Sequence, residues 1–264
     1  MLSKVNQLLW YLKYYRIAKT RFDVHSPFVY EFIEEIIKDK RSFYAFEKVD
    51  LLRKKWIKKN ESYEYTDLGA GTFTGEKKIR NTKKVIQNQA CNAKYGKLLF
   101  RLVNFFQPEK ILELGTSLGI STAYIALAKS SAQIITIEGC NKTARKAAES
   151  FQFLDIENVQ TLEGDFEKNV HELLHQKNFI PDFVFIDGNH KGEAIIKYFD
   201  LLYPLMKEKD TVIIFDDIRW SGDMYNAWES IAKRPEANLT IDIYKFGLVF
   251  FRKGIRKQHF TLRY

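Results

Sequence analysis

Three aspartates stand at the ends of apolar runs: Asp187 in "FVFIDGNHK", and Asp216 and Asp217 in "TVIIFDD". Three carboxylates in one place repel one another unless a cation or protons offset them. A hard divalent ion such as Mg2+, which takes oxygen ligands, is the natural offset. His190 follows Asp187 by three residues. Histidine is the side chain that changes charge near neutrality, which suits it to accept a proton from a reacting group.

Two glycine clusters offer a second chemistry, the cradling of a nucleotide. They are "TDLGAGTFTG" at 66–75 and "ILELGTSLGIST" at 111–122. Such a loop needs a buried strand that ends at the glycines and a helix that starts just after them. The glycines let the backbone approach the ligand, and the helix start offers free N–H groups. The second cluster meets both conditions, with Ile111–Leu114 as strand, Gly115 and Gly119 as turn and Ser121–Lys129 as helix. The first has polar sequence before it and charged sequence after it, and reads as a turn. Glu138, 23 residues past Gly115, ends the next strand, where an acid hydrogen-bonds a ribose diol.

The elements that position these residues follow from the rhythm after Lys110. Short β-rich runs ("KILELG", "QIITIEG", "NVQTLEG", "DFVFID", "TVIIFDD") alternate with stretches that carry apolar residues at helical spacing. Strands separated by helices imply right-handed crossovers and a parallel sheet covered on both faces. Ligands of such sheets bind beyond the carboxyl ends of the strands. The last runs, "LTIDIYK" and "FGLVFFRK", abut without room for a helix, so they must pair antiparallel. Before Lys110, residues 2–19, 27–38 and 47–59 read as helices, Gly96–Phe106 as an amphipathic helix, and 60–85 as polar. The expected division is a basic, helical N-terminal extension over 1–95 and a sheet domain over 96–264.

A parallel sheet that closes in an antiparallel hairpin, behind "ELGTSLG" and serial acids at strand ends, resembles the class I S-adenosylmethionine-dependent methyltransferases. The resemblance implies a Rossmann-like, doubly wound, mostly parallel seven-stranded sheet. It implies that Glu113, Gly115, Thr116, Ser117 and Gly119 surround the methionine end of the cofactor. Glu138 takes the ribose hydroxyls, and Asp165 and Phe166 border the adenine. The acids after strands four and five resemble those of catechol O-methyltransferase-like enzymes, which act on small-molecule hydroxyls. By position Asp187, Asp216 and Asp217 match that branch's three metal ligands, and Asp187 is also counted among the catalytic and cofactor-binding residues. His190 falls where that branch places a catalytic lysine. Asp217 replaces an asparagine, which makes the cluster more anionic.

Other readings carry less. "HELLH" (171–175) fits a zinc-protease string, but its two leucines take the buried stripe and leave the histidines on a flank. The first 100 residues hold 21 Lys/Arg against 11 Asp/Glu, while the rest hold 21 against 22. That basic front end raises an RNA methyltransferase as the alternative, and a non-catalytic cofactor-binding protein is a third reading. Position 187–190 reads "DGNH", without the Pro-Pro-aromatic element of amino-methylating enzymes, and a small-molecule acceptor is preferred. Two cysteines offer no disulfide framework, and no apolar run approaches the ~20 residues of a membrane span. The sequence is read as that of a soluble, cytoplasmic protein whose N-terminal part forms a lid or a homodimer contact.

Overall fold

The computed structural model describes residues 4–65, 78–175, 179–206, 211–252 and 254–264. Its elements in chain order are α1 (Lys4–Ile17), α2 (Pro27–Phe32, running on as a π turn over Ile33–Ile37), α3 (Tyr44–Lys59), β1 (Ser62–Tyr65), β2 (Lys78–Asn81), α4 (Thr82–Asn88) and α5 (Ala93–Phe106). There follow β3 (Lys110–Leu114), α6 (Ile120–Ala128), β4 (Gln133–Glu138), α7 (Asn141–Phe153), β5 (Val159–Glu163), α8 (Phe166–His175), β6 (Phe183–Ile186) and α9 (Gly192–Met206). The chain closes with β7 (Thr211–Phe215), α10 (Gly222–Lys233), β8 (Leu239–Ile243), β9 (Phe246–Phe251) and β10 (Gln258–Thr261).

The strand order is β10-β8-β9-β7-β6-β3-β4-β5 in an eight-stranded sheet. β3 with β4, β4 with β5, β6 with β7 and β8 with β10 pair parallel, whereas β9 pairs antiparallel with both β7 and β8. This is the expected doubly wound sheet with its terminal hairpin, corrected from seven strands to eight. The added strand, β10, is four residues long with a mixed burial pattern, so its period is too short to read from sequence. Its position comes from partners at the other end of the chain. Lys19 donates its N–H to Thr261, Arg263 donates back to Lys19, and the Tyr14 hydroxyl donates to Leu262 O.

By compactness the chain divides into two units, Met1–Lys38 with Ile180–Tyr264, and Asp39–Phe179. In the second unit, α3 contributes Phe46, Val49, Leu52 and Trp56 to a core shared with Phe100, Leu118 and Tyr124. Gly96 is required where α5 meets α6, since a Cβ there would lie 2.2 Å from the Tyr124 ring. In the first unit β6 and β7 are buried along their whole length, as doubly covered strands are. Around Arg219, a buried cation bound twice by Asp242 (2.7 and 2.6 Å), lie the rings of Tyr14, Tyr225 and Tyr244. Tyr14 thereby fastens α1 to this unit.

The polar stretch around the first glycine cluster is flanked by the antiparallel pair β1–β2, strands that the sequence reading did not place. The cluster itself, at 66–75, lies outside the described residues. Part of the basic excess of the first 100 residues is paired with acids beyond it, as Lys59 is with Glu149 of α7. Among the described residues no helix is long and apolar enough to cross a membrane.

Candidate active site

The glycine loop of the Asp39–Phe179 unit has the build that its sequence suggests. β3 ends at Leu114, the loop turns through Gly115 (φ 104°), Ser117 (φ 50°) and Gly119 (φ 75°), and α6 begins at Ile120. Gly119 has a second reason to lack a side chain, because a Cβ would meet the Phe151 ring at 2.7 Å. No side chain caps α6 at Gly119, so the first N–H groups of that helix form the anion-attracting end of its dipole.

Glu138 at the end of β4 grips the loop. Its carboxylate accepts from Ser117 N (2.8 Å) and from Cys140 N (3.0 Å), which joins the glycine turn to the turn after β4. Gly164 N donates to Glu138 O, so the end of β5 is tied to the same point. Asp165, next in chain, is exposed and accepts from Lys168 N at 2.9 Å as the cap of α8. Phe166 opens that helix half-buried.

Glu113, inside β3, is fully buried. Its Oε2 accepts from Thr122 Oγ1 (2.5 Å) and Thr136 Oγ1 (2.7 Å), and Thr136 in turn accepts from Thr116 Oγ1 (2.6 Å). Burial outweighs the surrounding hydroxyls and pushes the carboxyl up to about 7. Ser121, at the start of α6, is a third hydroxyl that acts on this carboxyl.

Two further residues hold the loop, and sequence spacing did not single them out. Trp56 of α3 donates from Nε1 to Ser150 Oγ at 2.8 Å, and Ser150 Oγ donates to Leu118 O at 2.7 Å. Both partners are remote in sequence from the loop, so no local pattern announces them.

The other set of expected residues belongs to the unit that contains Ile180–Tyr264. Asp187 follows β6, and His190 approaches it with Nε2 4.0 Å from Asp187 Oδ1, longer than a hydrogen bond. The His190 ring packs against Trp220 at 5.5 Å between centroids. Asp216 is buried after β7; its Oδ1 accepts from Asp217 N (2.7 Å) and its Oδ2 from Lys245 Nζ (2.9 Å). Lys245 Nζ also lies 3.5 Å from Asp217 Oδ1. Burial, then the Asp187 charge, pushes Asp216 up to about 7. Burial, then Asp216, pushes Asp217 up to about 6.

The three aspartates expected as metal ligands follow β6 and β7. Among the described residues no three His, Cys, Asp or Glu side chains are gathered as a ligand set. Asp216 and Asp217 face an ammonium of the chain itself, so the pair already has a counter-charge. Lys245 escaped the sequence reading because it sits in the β8–β9 turn, in the run taken for strand. "HELLH" lies on α8, with Leu173 and Leu174 buried and His171 exposed, as its helical spacing suggests.

Residues 112–218 match the family model described as a methyltransferase domain. That match covers 107 of the 264 residues. The match opens two residues after β3 begins and closes after Asp217, so it spans both the glycine loop and the acids beyond β6 and β7. Solved methyltransferases share the fold of the chain around this stretch. The O-methyltransferase from Bacillus cereus in complex with SAH is 20% identical, with a TM-score of 0.57 over 85% of this chain and 97% of that one. The O-methyltransferase TomG from Streptomyces achromogenes, in complex with SAM, is 19% identical, with a TM-score of 0.56 over 81% and 92%. The SAH-bound methyltransferase PaMTH1 from Podospora anserina is 14% identical, with a TM-score of 0.58 over 87% and 97%.

Proposed function

We propose that the chain transfers a methyl group from S-adenosylmethionine to the hydroxyl of a small molecule. The observation that carries the reading is the glycine turn clamped by Glu138, with the buried Glu113 behind it, inside the stretch that matches the methyltransferase model. Two of the structural neighbours are O-methyltransferases, and their bound SAH and SAM support the same assignment of cofactor.

The residues divide by role. Gly115, Thr116, Ser117 and Gly119 present backbone and hydroxyl groups to the methionine end of the cofactor, with Glu113 behind them. Glu138, whose carboxylate holds Ser117 N and Cys140 N, takes the ribose hydroxyls. Asp165 and Phe166 border the base. When bound, S-adenosylmethionine supplies a methyl on a positively charged sulfur; the acceptor oxygen bonds to that carbon as the S–CH3 electron pair stays on sulfur. His190 takes the hydroxyl proton, its ring held beside Trp220 with Nε2 4.0 Å from Asp187 Oδ1.

His190→Ala tests the assignment. Turnover should fall at least about a hundredfold, the usual scale of general-base catalysis, while calorimetric affinity for S-adenosylmethionine stays within about twofold. Equal losses in both would remove His190 from the proton-transfer role.

A further inference from the structure

In the cluster after β6 and β7, three carboxylates, Asp187, Asp216 and Asp217, share one neighbourhood with His190 and Lys245. Asp187 and His190 both act electrostatically on Asp216, and His190 and Asp216 on Asp217. The placement of Lys245 is built rather than incidental. It stands in the tight β8–β9 turn beside Tyr244, whose φ is 71°. Its N–H donates to Ile243 O, and its carbonyl accepts from Ile218 N at 3.1 Å, which fastens the turn to the segment right after Asp217. From that anchor the side chain, only 20% exposed, reaches Asp216 Oδ2 at 2.9 Å and Asp217 Oδ1 at 3.5 Å. An ammonium held there adds the positive charge that a carboxylate cluster needs. A lysine is a single positive charge with three donors and no vacant coordination sites, so it cannot chelate two substrate oxygens.

We propose that the Lys245 ammonium is the resident cation of this cluster, and that it replaces a divalent ion there. The acceptor is then a compound with a lone hydroxyl, because an ammonium in the cation's place does not chelate a pair of adjacent oxygens. The acceptor half of this inference rests on the methyl-transfer reading above; the cation half does not.

The test is a titration of the full chain with Mn2+, read by electron paramagnetic resonance. The wild type should bind no stoichiometric Mn2+, and its melting temperature should be the same in EDTA and in millimolar Mg2+. Lys245→Met vacates the cation place, and this variant should either take up Mn2+ or melt lower than wild type, with Lys245→Arg restoring the melting temperature. One tight Mn2+ per wild-type chain, lost on Asp216→Asn, overturns the proposal. So does a Lys245→Met variant that melts like wild type and binds no Mn2+. S-adenosylmethionine calorimetry in EDTA keeps the two claims apart. Absent cofactor binding sinks the methyl-transfer reading and leaves the Mn2+ result to stand, whereas intact binding with a tight Mn2+ site sinks only the resident cation.

Discussion

Trp56 and Ser150, 94 residues apart in sequence, are joined by a 2.8 Å hydrogen bond between indole Nε1 and hydroxyl, both buried. The hydroxyl passes the connection on to Leu118 O in the glycine loop. An N-terminal helix thus helps to fix the backbone that is to hold the cofactor. Ser150→Ala removes the link and leaves both the Trp56 donor and the Leu118 acceptor unmatched. The expected cost is about 1–3 kcal/mol of stability, with weaker S-adenosylmethionine binding, measured by urea denaturation and calorimetry. Unchanged stability would show that the link carries no weight.

Gly119 and Gly222 should respond oppositely to alanine. At Gly119 the backbone is left-handed and the new methyl meets Phe151, so Gly119→Ala should lose roughly 1–3 kcal/mol. Gly222 has nothing within 4 Å of its would-be Cβ and opens α10 behind the Ser221 cap. Gly222→Ala should therefore be neutral, or stabilise by up to about 1 kcal/mol through helix propensity. Thermal melts of the two variants check the contrast.

Arg219 and Asp242 form a buried ion pair, both side chains under a tenth exposed. Asp242→Ala strands the guanidinium and should cost about 3–5 kcal/mol. Exchanging both partners, Arg219→Met with Asp242→Leu, should recover most of that loss, because no uncompensated charge stays behind. Since Tyr14 packs on the same guanidinium, Asp242→Ala should also quicken tryptic cleavage near Arg16 and Lys19. Digestion at matched fractions of folded protein is the check.

Three carboxyls contribute a fall in stability as pH rises from about 4 to 7. Asp216 and Glu113 are raised to about 7 and Asp217 to about 6, against ordinary values of 3.8 for aspartate and 4.5 for glutamate. In that interval the folded chain holds protons that the unfolded chain has released, so the unfolding free energy declines with pH. Asp216→Asn removes one of these titrations. Its stability relative to wild type should rise between pH 5 and 8, measured by urea denaturation at both. A relative stability that falls over that interval would contradict the raised Asp216.

Much of this was legible in sequence because it is local. "ILELGTSLGIST" announces strand, turn and helix within twelve residues, and the acids at strand ends follow from the alternation of elements. What was hidden depends on contacts between distant segments. Lys245 looks like one more polar residue at the end of a strand, and nothing near it points to Asp216. Trp56 reads as a core aromatic, which it is, while its hydrogen bond belongs to the fold. β10 is too short for a period, and is placed by Lys19 and by β8. The metal trio was inferred from carboxylate charge and from the resemblance to catechol O-methyltransferase-like enzymes, and neither reveals that Lys245 lies against Asp216 and Asp217.

The central claim is that the Gly115–Gly119 turn, clamped by Glu138, holds S-adenosylmethionine. Calorimetric titration of the full chain and of Glu138→Gln addresses it most directly. One molecule should bind per wild-type chain, and Glu138→Gln should weaken binding at least about tenfold, the loss of 1.4 kcal/mol expected when a charge-assisted hydrogen bond is removed. A wild type that takes up no cofactor, or a Glu138→Gln variant that binds it equally well, would contradict the account.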